Sequence, residues 1–194
     1  MARVARRTAD ATNLRGLAHP LRVRILGLLR MEGAATASGL AARLGESSGT
    51  TSWHLRQLAE YGFVVEDAGR GNRRERWWRA AEGATQLNAA DFVGEQGLEG
   101  SLSTFLYAVA EENFARVTEF VNQFLSGQWE RPWHRAITIS DDELPLTAAE
   151  LSTLNGELQA LVDRYRRAPK PGDTPVVVQV QSFPRKREPG EGGS

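Results

Sequence analysis

The stretch ESSGTTSWHLRQL, residues 46 to 58, contains six small residues in a row before its tryptophan. These residues are Ser47, Ser48, Gly49, Thr50, Thr51 and Ser52. They are mediocre helix formers that favour caps and turns, yet Leu55 and Leu58 continue a helical apolar pattern behind them. A helix that begins with so little bulk and so many hydrogen-bonding groups is suited to close contact with another surface through its first turn.

Short elements surround this helix in a definite order. Helical patterns begin at Asn13, at Pro20 and at Thr36, and glycines follow the second and third of them. After the helix of residues 47–61, two β-prone runs flank the turn GRGN, which predicts a hairpin. This order predicts a winged helix-turn-helix domain over residues 13–82. The basic arm of residues 1–12 either reaches DNA or has no fixed structure.

The charge of the chain is divided unevenly between its two parts. The net charge of all 194 residues is zero, but the first 80 residues contain fourteen arginines, no lysine and seven carboxylates. They therefore carry a net charge of +7, and the remaining 114 residues carry −7. Such an asymmetry predicts a polyanionic partner for the first part alone.

The helix of residues 47–60 has two distinct faces. Thr51, Leu55 and Leu58 recur at helical spacing and are expected to pack on neighbouring helices. The other face carries small residues, a flat ring and a guanidinium, which fit the major groove of DNA. The predicted DNA contacts are Ser47, Ser48, Gly49, Thr50, Ser52, Trp53 and Arg56 on the helix and Arg70, Arg73 and Arg74 on the wing. Trp53 either lies on thymine methyl groups or sugars or packs over the wing, whereas His54 is expected to be a packed histidine.

Three segments in order resemble the ArsR-type winged-helix repressors, in the variant common among actinobacterial regulators. They are LAHPLRVRILGLLR, TASGLAARLGESSGTTSWHLRQLAEYGFV and GRGNRRERWWRA. The resemblance implies a homodimeric transcriptional regulator whose recognition helix reads an operator and whose wing touches the flanking DNA. Metal-sensing members carry a cysteine pair where this chain has TASGLAARLG, so thiolate metal sensing does not carry over. No metal site and no cofactor is predicted, and a small-molecule effector stays an open alternative.

Residues 83–183 are predicted to serve dimerisation or effector binding. A small, polar, glycine-bearing segment precedes a long amphipathic helix over residues 101–125. Its length of about 37 Å is large for a small domain, so its apolar stripe is expected to form a dimer seam rather than a monomer core. The predicted seam consists of Leu102, Phe105, Leu106, Val109, Val117, Phe120 and Phe124.

A strand, a helix and a second strand are predicted to follow, in WHRAITIS, LTAAELSTLNGELQALVDRYRR and TPVVVQVQSF. Trp129, Trp133 and His134 either line an effector pocket or pack under a loop. Residues 184–194 are too polar and too rich in glycine and proline to pack. The predicted fold class is mainly α with a β-hairpin wing: a winged helix-turn-helix domain, a long dimerisation helix and a small strand–helix–strand unit.

Several classes of function fit the sequence poorly. It contains no cysteine, no G-x-S-x-G motif and no H-E-x-x-H motif, so no enzyme activity is expected. No apolar run is long enough to cross a bilayer and no signal peptide is recognised, so the cytoplasm is the expected compartment. The sequence predicts a transcriptional regulator, with repression as the expected mode, that binds double-stranded DNA as a homodimer at an inverted repeat. The alternative is a winged-helix module that binds proteins without reading DNA.

Overall fold

The computed structural model describes residues 11–70, 75–81 and 89–186. The chain forms two compact units that divide between Gln128 and Trp129. In the first unit the helices are α1 (Ala11–Leu17), α2 (Pro20–Glu32), α3 (Ala37–Leu44), α4 (Ser48–Glu60) and α5 (Glu99–Leu125), with a short 3-10 helix at Ala89–Phe92. Its strands are β1 (Ala35–Thr36), β2 (Val64–Glu66) and β3 (Trp77–Ala80). The predicted fold class, mainly helical with a hairpin wing and a long helix, is confirmed.

Polar caps set where the first helices begin. His19, Thr36 and Ser47 occupy the N-cap positions of α2, α3 and α4. Each side chain accepts a hydrogen bond of 3.0 or 3.1 Å from a backbone N–H two or three residues further along. Such a cap satisfies an N–H that the helix itself leaves without a partner and is worth about 1 kcal/mol. The local sequence therefore determines these helix starts, as predicted.

Strand β3 is the centre of a three-stranded antiparallel sheet with the order β1, β3, β2. Its Trp78 lies opposite Ala35 of β1 and opposite Glu66 of β2. The hairpin of β2 and β3 was predicted, and Trp78 rather than Trp77 is the tryptophan buried in the core. The two-residue strand β1 was not predicted, because it pairs only with a strand more than forty residues away.

The main core joins α2, α3, α4 and the sheet. Its most deeply buried members are Ile25, Leu40, Leu55, Leu58 and Val64. The inner face of α4 is the predicted one, since Thr51, Leu55 and Leu58 are all excluded from solvent. Packing of this face fixes the rotation of α4 about its own axis.

A second cluster joins α1 to the beginning of α5. It contains Leu14, Phe92, Leu98 and Leu102, with Phe105 packed against both this cluster and the main core. The sequence suggested a boundary between residues 82 and 83, but the first unit continues to Gln128. The glycine-bearing segment ahead of α5 resembles a linker in composition, yet it supplies two of these buried apolar side chains. Leu102 is 9% exposed and belongs to this core, so its predicted place in a dimer seam is wrong.

The second unit contains α6 (Arg131–Ala136) and α7 (Ala148–Arg164). Helix α7 begins at a capping box, in which Thr147 and Glu150 each accept a hydrogen bond from the backbone N–H of the other. The prediction of strands in WHRAITIS and TPVVVQVQSF is wrong, since residues 129–186 contain no strand. The first segment begins within α6. The β-branched residues of the second segment favour an extended backbone, but this backbone pairs with no strand in the described part of the chain. Its Ser182 instead donates a hydrogen bond to Asn155 of α7 at 2.7 Å.

None of the helices in the described ranges is both long enough and apolar enough to cross a membrane.

Two glycines on the first helices provide a matched test of this packing. We expect Gly16→Ala to lower the free energy of unfolding by about 1–3 kcal/mol, because its methyl group would lie 2.6 Å from Cγ of Tyr61. The control is Gly27→Ala, whose methyl group would lie 2.6 Å from Nη2 of Arg116. That guanidinium ends a flexible side chain that can move aside, and alanine favours a helix by about 0.5–1 kcal/mol over glycine. Urea denaturation measures both, and equal losses would contradict the close contact between α1 and Tyr61.

Candidate nucleic-acid interface

Helix α4 has one buried side and one exposed side. Opposite the buried leucines, Gly49 and Arg56 are exposed, Trp53 is 50% exposed and Ser52 is half-buried. These four residues follow helical spacing, so they lie on one face. The exposed face is therefore the one that the sequence assigned to DNA.

The first turn of α4 is small, polar and without negative charge. Ser47 caps the helix, and its Oγ lies 2.8 Å from Oγ1 of Thr50. No carboxylate is present in the first turn, where the helix dipole favours an anion such as phosphate. A side chain at Gly49 would meet only Oγ of Ser47, at an ordinary contact distance of 3.7 Å. Packing within the chain thus does not require a small residue at this position, whereas close approach of another surface would.

The guanidinium of Arg56 extends from the same face. The nearest carboxylate in sequence on this face of the helix, Glu60, accepts a hydrogen bond from Nε2 of Gln57 at 3.2 Å. Within the described ranges, Arg56 forms no salt bridge and no side-chain hydrogen bond. An exposed guanidinium without a carboxylate partner retains its donors for a base edge or a phosphate.

The predicted wing contacts lie between β2 and β3 in the sequence. Arg70 is exposed there, with its Nε 3.7 Å from Oδ2 of Asp67. Arg73 and Arg74 lie outside the described residues. On the described part of the wing, Arg76 also faces a carboxylate, with 3.9 Å between its Nε and Oε1 of Glu66. These wing arginines therefore share their charge with neighbouring carboxylates, unlike Arg56.

Two histidines meet beneath the exposed face of α4. His54 is 4% exposed, and its ring centre lies 4.4 Å from that of His19 at the start of α2. Burial, the nearby His19 and the positive charge of Arg22 lower the pKa of His54 to about 4. Burial and Arg22 also lower the pKa of His19, although Glu46 opposes this shift. Both rings are therefore uncharged at neutral pH, and His54 is the packed histidine that the sequence predicted.

Helix α5 carries an apolar stripe on its exposed side. Of the predicted seam, Leu106 and Val117 are exposed, whereas Phe105, Val109, Phe120 and Phe124 are half-buried. The rings of Phe120 and Phe124 lie 6.0 Å apart. Sequence reasoning missed three strongly exposed apolar residues, Tyr107, Phe114 and Leu125. Apolar residues at positions 106, 110, 114, 117, 121 and 125 recur at helical spacing, which could have identified the exposed side. The predicted stripe was instead centred on the side of α5 that includes the buried Leu102.

The predicted effector-pocket residues lie together at α6. The rings of Trp129 and Trp133 pack edge to face with 6.1 Å between their centres. Nε2 of His134 lies 2.9 Å from the carbonyl oxygen of Trp129. These contacts fit local aromatic packing, and a ligand-binding role for the three residues stays a prediction. In the described ranges, no group of three or more His, Asp or Glu side chains is arranged to hold a metal ion.

Comparison with known proteins agrees with this geometry in the first unit. Residues 17–67, which contain α2, α3 and α4, match the family model of a helix-turn-helix domain. No curated protein matches the chain. Among solved structures, a mutant of ZitR from Lactococcus lactis in its apo form is 16% identical, with 77% of this chain and 84% of that chain covered and a TM-score of 0.33. The transcriptional regulator Tm0710 from Thermotoga maritima is 13% identical, with 79% and 87% covered and a TM-score of 0.31.

The first unit therefore contains a helix-turn-helix domain, the class of domain whose second helix enters the major groove of DNA. In this chain that helix is α4, and its outward face is the one that carries Gly49, Trp53 and Arg56.

The low pKa of His54 predicts a loss of stability in acid. The unfolded chain binds a proton at this residue near pH 6.5, but the folded chain does so only near pH 4. Acid therefore favours unfolding across this window, by on the order of 3 kcal/mol once the pH is below 4. His54→Phe retains a flat ring without the titration, so its unfolding free energy relative to the native chain should rise as the pH falls from 7 to 4. Denaturant titrations at stepped pH measure this difference, and a constant difference would contradict the assignment.

Proposed function

We propose that this protein is a transcriptional regulator that binds double-stranded DNA with α4 as its recognition helix and the β2–β3 hairpin as its wing. The observation that carries the proposal is the outward face of α4, which combines a polar first turn without carboxylates, the exposed Gly49 and the exposed guanidinium of Arg56, which pairs with no carboxylate of the described residues. Its position in a helix-turn-helix domain supports contact with the major groove. The net charge of +7 over the first 80 residues supports a polyanionic partner.

A protein-binding role for the same domain is the second candidate. Arginine and tryptophan are common at protein interfaces too, so the exposed Arg56 and Trp53 alone do not separate the two candidates. The fourteen arginines of the first 80 residues favour phosphate over a protein surface. We regard the protein as a cytoplasmic DNA-binding protein without enzyme activity. The resemblance to ArsR-type repressors supports repression as its mode of action.

The exposed apolar stripe of α5 supports a homodimer. Leu106, Phe114, Val117 and Leu125 follow one another at helical spacing along the exposed side of the helix, and Tyr107 borders them. Contiguous exposed apolar side chains of this kind mark association surfaces. Two copies related by a two-fold axis would present two α4 helices, which bind half-sites one helical turn, or about 34–36 Å, apart. The expected operator is therefore an inverted repeat.

Selection of bound sequences from random duplexes tests the function directly. We expect recovery of an inverted repeat that the protein binds at least a hundredfold more tightly than scrambled DNA, with affinity falling steeply as salt is added. Tight binding to a protein partner, with weak and sequence-independent binding to duplexes, would favour the second candidate instead.

Two single-arginine variants separate recognition of the base sequence from sequence-independent binding to the DNA backbone. We expect Arg56→Ala to weaken binding to the selected operator more than to scrambled DNA, because a bidentate arginine contact is worth about 1–3 kcal/mol of discrimination. Arg70→Ala removes the same charge from the wing and should weaken both complexes equally, with a salt slope shallower by about 0.9 if one phosphate contact is lost. Titrations of both duplexes across a salt series measure these effects. Equal losses on both duplexes for Arg56→Ala would contradict its role as a reader of sequence.

A carboxylate placed on the α5 stripe tests the dimer. Val117→Asp should convert the protein to a monomer at micromolar concentration and weaken operator binding at least tenfold, because the charge would be buried in the seam without a partner. Ala115→Asp is the control, since it adds the same charge at an exposed position on another side of the same helix. Light scattering after size exclusion gives the mass of each variant. A native chain that is monomeric in this measurement would contradict the dimer.

A further inference from the structure

Trp53 lies at the centre of the outward face of α4 and is half exposed. It follows Gly49 by four residues and precedes Arg56 by three, so a surface that meets this face also meets the indole. Its ring contacts that of the adjacent His54 at 4.7 Å between centres and at an angle of 81°. This is the edge-to-face arrangement that aromatic rings favour.

The ring of His54 is itself held in place. It is 4% exposed and lies 4.4 Å from the ring of His19, inclined at 51°. His19 is fixed in turn, because its Nδ1 accepts the backbone N–H of Leu21 at 3.1 Å and so caps α2. Three rings therefore lie in series from the cap of α2 to the exposed face of α4.

His54 acts here as a flat ring rather than as a hydrogen-bonding group. Nδ1 of His54 is buried and has no hydrogen-bond partner among the described residues. Both rings are uncharged at neutral pH, because burial and the adjacent Arg22 lower the pKa of each. An uncharged ring pair, in which His54 is buried and His19 half-buried, restricts the orientation of the indole that rests on it.

The indole consists of carbon atoms apart from one N–H group, so it offers a largely apolar ring to any surface that meets α4. In the major groove of DNA the base edges offer hydrogen-bond donors and acceptors and one apolar group, the C5-methyl group of thymine. Trp53 presents a flat apolar ring between the small residues of the first turn of α4 and the guanidinium of Arg56. Such a ring fits a methyl group better than it fits a polar base edge.

We infer that Trp53 reads a thymine methyl group in the major groove and that the His19–His54 ring pair positions its indole for this contact. The inference rests on the proposed function and adds to it a base feature and two positioning residues. Trp53 determines specificity at one position of each half-site, whereas the two histidines act only through Trp53.

Replacement of single thymines by uracil in the selected operator tests the contact, because uracil differs from thymine only in lacking the methyl group. For the native protein, one position in each half-site should lose affinity about fourfold per half-site, the effect expected for one methyl group. Trp53→Ala should bind the thymine and uracil operators equally at that position. A native protein that tolerates uracil at every position would overturn the inference.

Two variants of His54 test the positioning role. His54→Phe preserves a flat ring and should retain the fourfold preference for thymine, whereas His54→Leu, which is equally apolar, should lose it. His19→Asn preserves a side chain that can cap α2 but removes the ring that supports His54. This variant should therefore also lower the preference for thymine over uracil. Circular dichroism confirms that each variant is folded, and the ratio of thymine to uracil affinity is unaffected by a uniform loss of binding. Retention of the full preference by His54→Leu would overturn the positioning role.

The outcome of the selection separates this inference from the proposed function. If no sequence is enriched, then the proposed function fails. If a sequence is enriched but contains no thymine whose methyl group depends on Trp53, then the inference fails while the recognition role of α4 stands.

Discussion

Burial of the inner face of α4 is the constraint on which the recognition surface depends. Leu55 and Leu58 are fully excluded from solvent among side chains of α2, α3 and the sheet. A helix with two such anchors one turn apart cannot rotate about its axis without exposing them, at a cost of about 1.5–3 kcal/mol for each side chain. The direction of Gly49, Trp53 and Arg56 is therefore a consequence of apolar packing on the opposite side. Function at this surface needs no strained backbone, and no described residue other than glycine has a positive φ.

Local chemistry explains why much of the first unit was predictable. The capping side chains of α2, α3 and α4 act within three residues, and the two faces of α4 follow from helical spacing alone. The sequence alone does not distinguish Trp77 from Trp78 as the core tryptophan, and only the pairing of β3 with both neighbouring strands decides between them. The ring series from His19 to Trp53 was not predictable from spacing, because it joins residues of two helices that tertiary packing brings together.

The regions where prediction failed depend on distant partners. The extended segment that includes Val176 and Val178 has the composition of a strand, but a strand needs a neighbour for its backbone hydrogen bonds, and composition does not supply one. Leu102 has the spacing of a seam residue, but α1 and the segment before α5 already cover it. Farther along α5 these elements no longer cover the helix, and Phe114, Val117 and Leu125 are exposed there.

The attachment of α5 to α2 connects the proposed dimer to the recognition surface. Glu112 of α5 accepts a hydrogen bond from Arg116 at 3.0 Å and lies 3.9 Å from Arg24 of α2. Phe105 adds apolar contact with both core clusters, so α5 and α2 share a charge pair, Arg24 with Glu112, and buried surface. Elements packed in this way move together rather than bending continuously.

The spacing between the two α4 helices of a dimer would therefore depend on the α5 seam. The direction of each outward face would depend instead on the core beneath α4. A molecule that altered the seam would change which half-site spacing the dimer accepts. It would leave Trp53 and Arg56 as they are, because their orientation depends on contacts within one chain. In the proposed dimer, affinity for the whole operator and preference at a single base would thus be governed by different parts of the protein.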